Sequence, residues 1–318
     1  MTIWNLGHGR PAGERVVTLA RRNRLAELFL ILRAYLRSDD DVFHYVSASY
    51  RSFWLGAACV FLGRAAGRKV VMSFVGGAFR EFTGSLDTVR RGIVRATLRS
   101  ASGLVACNPE IEDALKALAP GRRVVRITNG FPLPPGSDAP LPGEVERFVA
   151  DHSPVVCTTG AAAPEYGFEA AFEALAELAR SRPRIGLVVV LTRYGTPEHE
   201  ATLARAASSD GLAGRVLMAR DLPDFTALLA RSDAFLRCTL VDGDSMSVRE
   251  ALSLGVPAVA SDTPYRPEGT VLFRKGDARD MAERLGEALA AGRRDPSAAR
   301  EESARNLAAL VEAYSTAT

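Results

Sequence analysis

Apolar residues follow two alternating rhythms along this chain. Short runs such as KVVMSF (residues 69–74) and LVVVL (187–191) are almost wholly apolar and are bounded by glycine, proline or charged residues. Between such runs lie longer stretches, such as FEAAFEALAEL (168–178), with apolar residues at helical spacing. In the first part of the chain the pattern predicts strands at 3–6, 41–46, 69–74, 103–106 and 123–127. Helices are expected at 52–62, 86–99 and 109–118, with one or two more over 15–37. Beyond residue 131 it predicts strands at 155–158, 187–191, 216–218, 234–237, 258–260 and 271–273. The matching helices are 168–181, 197–208, 223–231, 248–254, 278–291 and 297–314. Strands alternating with helices imply parallel sheets covered on both faces.

The run FPLPPGSDAPLPG (131–143) interrupts this alternation and reads as a linker. It divides the chain into an N-terminal α/β domain at 1–131, a linker at 132–153, a second α/β domain at 154–296 and a final helix at 297–318. A length of 318 residues fits two domains. The net charge of +3 is too small to argue for nucleic acid. The four cysteines, Cys59, Cys107, Cys157 and Cys238, are scattered through apolar runs with no CxxC pair, as expected of reduced core residues in a cytoplasmic protein. His8, His44, His152 and His199 show no metal-ligand spacing. No apolar stretch has the length of a bilayer span, and the N-terminus lacks the pattern of a secretory signal. The segment 15–37 carries Leu25, Leu28, Phe29, Leu32 and Leu36 on one helical face, flanked by arginines. Such a helix packs on its own domain or lies peripherally on an acidic membrane surface.

The densest chemistry is in TLVDGDSMSVREALSLGVPAVASD (239–262). A polar, glycine-containing loop leads into a short helix, and the helix into a strand. Ser247 and Glu250 have capping-box spacing, so Glu250 reads either as a capping partner or as a binding carboxylate. Gly255 suits the position after the helix, and Pro257 blocks its continuation. The N–H groups of Met246, Ser247 and Val248 would lie at a positive helix end, a place suited to phosphate.

In their order these motifs resemble the retaining glycosyltransferases of the GT-B fold, family 4 (glycosyl transferases group 1). DGDSMSVREALSLGVPAVASD is similar to the family's acidic–seven–acidic donor motif. MSFVGG (72–77), ITNGF (127–131), TTGAAAPEYGFEAAFEAL (158–175) and LLARSDAFLRCT (228–239) look like further family segments in the family's order. The resemblance implies two facing Rossmann-like domains with parallel sheets, the N-terminal one shortened, and a last helix that crosses back to the first domain. It implies transfer of a sugar from a nucleotide diphosphate-sugar to an acceptor hydroxyl, with retention and without metal or cofactor. The expected acceptor is a glycan or a lipid-linked sugar, which points to polysaccharide or glycolipid synthesis at the inner face of the membrane. By position, Asp242 takes the donor sugar's hydroxyls and Glu250 the ribose. Ser245, Met246 and Ser247 offer backbone N–H groups to the diphosphate. Gly160 lets the backbone approach the ligand. Gly76 and Gly77 line the acceptor side of the cleft.

The family usually places Arg or Lys where this chain has Ala161 and Tyr166, so its cationic clamp on the diphosphate is absent from those positions. Arg237, Arg249 and Arg193 are the candidate replacements, with Arg237 first because it ends the strand before the donor loop. Val75 stands where the family commonly has His. These departures favour one rival, a non-catalytic relative that binds a nucleotide-sugar or a partner enzyme. An epimerase of the same fold would need an acid/base pair that is not evident. A dinucleotide-dependent oxidoreductase would need a G-x-G-x-x-G after the first strand of a half, which is absent.

Overall fold

The computed structural model describes residues 3–5, 16–18, 24–38, 40–47, 50–75, 79–133, 139–192, 195–220 and 222–316. The chain divides into two compact units, one of Met1–Thr128 with Ala308–Thr318, the other of Asn129–Leu307.

The first unit opens with β1 (Ile3–Asn5) and β2 (Val16–Thr18), which pair in parallel. Next come α1 (Arg24–Arg37), β3 (Val42–Ser47), α2 (Tyr50–Ala65), β4 (Lys69–Phe74), α3 (Phe79–Gly84), α4 (Thr88–Ser100), β5 (Gly103–Ala106), α5 (Pro109–Leu118) and β6 (Val124–Arg126). The strands β3 to β6 form a parallel sheet in the order β3-β4-β5-β6. The expectation of helix throughout 15–37 is corrected at its start, where Val16–Thr18 is a strand. The short helix α3 was not predicted.

The second unit begins with α6 (Gly143–Asp151), which corrects the expected linker. Leu141 and Val145 carry that stretch into a hydrophobic core. Then come β7 (Val155–Gly160), a 3-10 turn (Pro164–Tyr166), α7 (Phe168–Ala179), β8 (Gly186–Leu191), α8 (Pro197–Ala207), β9 (Val216–Arg220), α9 (Phe225–Ala230) and β10 (Ala234–Arg237). The unit continues with α10 (Met246–Ser253), β11 (Ala258–Ser261), β12 (Val271–Phe273) and α11 (Ala278–Ala291). Its sheet has the order β12-β11-β10-β7-β8-β9, with every neighbouring pair parallel.

All six residues of β8 are buried, and the twofold alternation of a strand divides them between two cores. Leu187, Val189 and Leu191 join Phe168, Phe172, Leu175 and Leu178 of α7 on one face. Val188 and Val190 join Val145, Leu228, Val248 and Leu252 on the other. Each such side chain contributes about 1.5–3 kcal/mol by leaving water. A sheet covered on both faces presents its ligand-accessible backbone only at its ends, which is why the carboxyl ends of the strands carry the chemistry.

The last helix, α12 (Ser297–Ser315), is divided between the units by contact. In the second unit, Asn306 donates to the Gly130 carbonyl at 2.7 Å. In the first, Ala309, Leu310 and Tyr314 pack on Val71, Val105 and Ile127. The Tyr314 hydroxyl lies 2.7 Å from His44 Nδ1, and His44 Nε2 lies 2.6 Å from Ser73 Oγ. All four cysteines are buried and none forms a disulfide. Burial pushes the Cys157 and Cys238 thiols up to about 12, so neither is a reactive thiolate.

Candidate functional site

From β7 the sheet of the second unit grows one way through β8 and β9, and from β10 the other way through β11 and β12. The boundary between β7 and β10 is therefore a topological switch point, where open parallel sheets bind ligands beyond the carboxyl ends of their strands. Arg237, the last residue of β10, spans that boundary by donating from Nη1 to the Thr159 carbonyl of β7 at 3.0 Å.

Asp242 orients the Arg237 guanidinium through Nε–Oδ2 at 2.9 Å and Nη2–Oδ1 at 3.2 Å. The guanidinium also lies over the Tyr166 ring, 5.6 Å from its centroid. Tyr166 in turn is seated on Gly160, where an added Cβ would run into the ring. The absence of a side chain at Gly160 thus makes room for Tyr166, a role different from the expected approach to ligand.

Arg266 supplies a second guanidinium, from the loop after β11. It donates from Nη1 to Asp242 Oδ2 at 2.8 Å, from Nε to the Ser261 carbonyl at 3.0 Å, and from Nη2 to Ser261 Oγ and Thr239 Oγ1 at 3.1 and 3.3 Å. Sequence reasoning missed Arg266. The available signal was its place in the loop beyond the strand next to β10, where its side chain reaches the same strand ends. Burial alone would raise the Asp242 carboxyl, but the hydrogen bonds and charges of Arg237 and Arg266 outweigh it and hold the group below the usual aspartate range.

The donor-loop helix begins two residues earlier than predicted. Ser245 is the N-cap of α10, so Ser247 lies in the first turn and the expected Ser247–Glu250 capping box does not form. Ser245 makes no side-chain cap bond, and its hydroxyl lies 3.2 Å from that of Ser247. The helix end is a Schellman motif: Val256 N donates to the Ala251 carbonyl at 2.9 Å and Gly255 N to that of Leu252 at 3.0 Å. Gly255 takes the left-handed conformation this requires, with φ 72°. Met246 is exposed at the start of the helix, whereas Ser245 and Ser247 are buried.

Glu250 is half-buried and has no hydrogen-bond or ion-pair partner among the described residues. Burial raises its carboxyl above the usual glutamate range, and the charge of Asp224 pushes the same way. A carboxylate in that state gains by accepting hydrogen bonds from a ligand.

Arg249, expected at the diphosphate, is committed elsewhere. Its Nε donates to Asp244 Oδ1 at 2.6 Å and its Nη1 to Glu302 Oε1 at 2.8 Å. Asp244 also accepts from Asn129, through Oδ2 from the backbone N–H at 2.5 Å and through its carbonyl from Nδ2 at 2.7 Å. This buried network anchors the donor loop to the start of the unit and to α12. Arg193, Gly76 and Gly77 lie outside the described residues. Among the described residues no group of three or more His, Cys, Asp or Glu could hold a metal ion. No helix among them is long and apolar enough to cross a membrane.

Comparison with known proteins places this site in context. Residues 153–291 match the model of the family described as Glycosyl transferases group 1. No curated protein matches the chain. Among solved structures, the chain is similar to Anabaena Alr3699/HepE in complex with UDP, with a TM-score of 0.64 and 16% identity over 95% of this chain and 84% of that one. The sucrose-phosphate synthase of Thermosynechococcus elongatus matches with a TM-score of 0.58 and 15% identity, over 94% of this chain and 78% of that one. The UDP-forming alpha,alpha-trehalose-phosphate synthase of Burkholderia xenovorans matches with a TM-score of 0.61 and 14% identity, over 92% and 77%. With its two parallel-sheet α/β units the chain has the GT-B glycosyltransferase fold, and its donor-loop unit carries the similarity to glycosyl transferases group 1.

Proposed function

We propose that the protein is a retaining glycosyltransferase that moves a sugar from a nucleoside diphosphate-sugar to an acceptor hydroxyl. One observation carries this reading: Arg237, the start of α10 and Glu250, which has no partner among the described residues, all belong to the stretch that matches the family, with Arg237 at the switch point of the sheet. The solved Anabaena relative was captured with UDP and with UDP-glucose, which supports a nucleotide-sugar as the ligand class.

In this reading Glu250 accepts hydrogen bonds from the ribose hydroxyls, contacts that no described residue supplies to its carboxylate. The diphosphate lies against Arg237 and the N–H groups of Ser245, Met246 and Ser247. The bond from the sugar's anomeric carbon to the phosphate oxygen breaks as the bond to the acceptor oxygen forms on the same face. The leaving phosphate takes the acceptor's proton, so no protein base is required. The protein's contribution is to stabilise the charge that grows on the diphosphate.

The acceptor is a growing glycan or a lipid-linked sugar in polysaccharide or glycolipid synthesis, reached from the cytoplasmic side by peripheral contact with the membrane. The charge of the first unit supports this. It holds twenty Lys and Arg against eleven Asp and Glu, a net +9. In it, α4 has four arginines, no acidic residue, and Val89 and Ile93 exposed.

A non-catalytic nucleotide-sugar-binding relative is the second reading. The engagement of Asp242 by Arg237, Thr239 and Arg266 favours it. A panel of nucleotide-sugars in thermal shift, followed by a transfer assay on the binder, separates the two. Stabilisation that Glu250→Gln reduces, together with transfer, supports the enzyme. Stabilisation without transfer to any acceptor supports the relative, and no stabilisation by any nucleotide-sugar sinks both.

A further inference from the structure

Asp242 accepts four hydrogen bonds from described residues. Oδ2 takes those of Arg237 Nε, Arg266 Nη1 and Thr239 Oγ1 at 2.9, 2.8 and 3.1 Å, and Oδ1 takes that of Arg237 Nη2 at 3.2 Å. Three of these converge on Oδ2, which is fully engaged, while Oδ1 keeps one acceptor site. The two guanidinium groups and one carboxylate leave one net positive charge, largely buried at the strand ends. Among the described residues three of the five N–H groups of Arg237 are engaged, which leaves it donors for a ligand. Arg266 is shut away from a ligand: four of its five are engaged by described residues, and its side chain is only 3% exposed. Arg266 therefore acts on a ligand only through Asp242.

We propose that Arg266 is a positioning residue that offsets the charge of Asp242, leaving Arg237 with a net positive charge to offer a diphosphate at the switch point. Without Arg266, Arg237 and Asp242 form a pair with no net charge. With it, Asp242 fixes the direction of the Arg237 fork without cancelling its charge. Arginine suits position 266 because one planar group reaches Asp242, Thr239 and Ser261 together. The inference rests on the reading of a diphosphate ligand and reverses the role that sequence resemblance gave Asp242, from sugar contact to support of the cation.

The test is a charge-rescue cycle read by calorimetric titration of the full chain with inorganic pyrophosphate. Arg237→Gln is expected to abolish binding. Arg266→Gln is expected to weaken it about ten-fold or more, as for loss of a charge-assisted interaction. The double variant Asp242→Asn with Arg266→Gln restores the net positive charge and is expected to recover most of the affinity, which a merely structural role for Arg266 does not predict. Wild-type affinity in Arg266→Gln, or a double variant as weak as the single with its urea midpoint preserved, overturns the proposal. If Arg266→Gln does not fold, Arg266→Lys decides. Affinity within about three-fold of wild type supports the offset of charge, and a loss as large as that of Arg237→Gln refutes it. Binding of a nucleoside diphosphate-sugar by the wild type alongside an unaffected Arg266→Gln would sink this inference and leave the donor-site reading standing. Failure of every nucleotide-sugar and of pyrophosphate would sink that reading as well.

Discussion

The two units carry equal numbers of basic residues and use them in opposite ways. Each has twenty Lys and Arg, but the first has eleven Asp and Glu and the second twenty-six, giving +9 and −6. The candidate diphosphate site lies in the acidic unit. The proposed site thus rests not on net charge but on the geometry of a few buried guanidinium groups. In the second unit Arg237, Arg249 and Arg266 are held by carboxylates and carbonyls at fixed angles. In the first, Arg95 and Arg99 on the outer side of α4 make no hydrogen bond or ion pair among the described residues. An oriented cation can recognise a particular group, whereas a solvated one contributes only to a field.

That contrast can be broken by mutation, starting with the largest effect. Arg249→Ala strips two carboxylates, Asp244 and Glu302, of their shared partner and is expected to destabilise the protein by about 3–5 kcal/mol. Arg95→Ala in α4 is expected to stay within about 0.5 kcal/mol. Urea unfolding of both variants measures the difference, and equal midpoints would contradict the contrast.

Next comes the seat of Tyr166. Gly160→Ala drives a methyl into the ring and is expected to destabilise the protein by about 1–3 kcal/mol. Adding Tyr166→Ala removes the clash, so the double variant should lose less than the sum of the singles.

Glu250→Gln separates binding from folding. It is expected to weaken nucleotide-sugar binding about ten-fold, by loss of charge-assisted hydrogen bonds. It is also expected to stabilise the unliganded protein at neutral pH. The sign comes from the raised carboxyl: its ionisation disfavours the folded state, so its contribution is most favourable below the unfolded pKa and declines as pH rises through the folded one. The gain from Gln should therefore vanish in acid. Asp242, held low, behaves oppositely, and its stabilisation is lost as pH falls through its folded value. Thermal melts from acid to neutral pH measure both trends.

The smallest effect per residue is expected on α4. Arg95→Gln and Arg99→Gln should each lower binding to vesicles of mixed neutral and anionic phospholipid by about five-fold, at about 1 kcal/mol per arginine. Binding to purely neutral vesicles should be negligible. Equal binding to both vesicle types would remove the electrostatic role given to the first unit.

Much of the donor loop was legible in the sequence because its logic is local. A polar loop, a short helix, Gly255 at a left-handed C-terminus and a strand lie in one continuous stretch. Arg266 was not legible, because its partner Asp242 stands 24 residues away and only the adjacency of β10 and β11 brings them together. Tyr166 looked like a departure at a cationic position, and its packing on Gly160 appears only when the 3-10 turn folds back over the strand end. Helix α6 was hidden by the prolines before it, which in sequence read as linker and carry little information about residues 143–151. The helix start at Ser245 was misplaced because two serines in one turn compete for the cap, and sequence spacing favoured the wrong one.

The division of α12 has a consequence for how the chain is made. The first unit begins at the N-terminus, yet its contacts include Ala309, Leu310 and Tyr314, which come after all of residues 129–307. At about 5–20 residues per second, a ribosome needs roughly 10–40 s to deliver them after Thr128 has been added. During that interval Val71, Val105 and Ile127 lack the helix that covers them. The early sheet must wait for the tail of its own chain, while the second unit is synthesised in between.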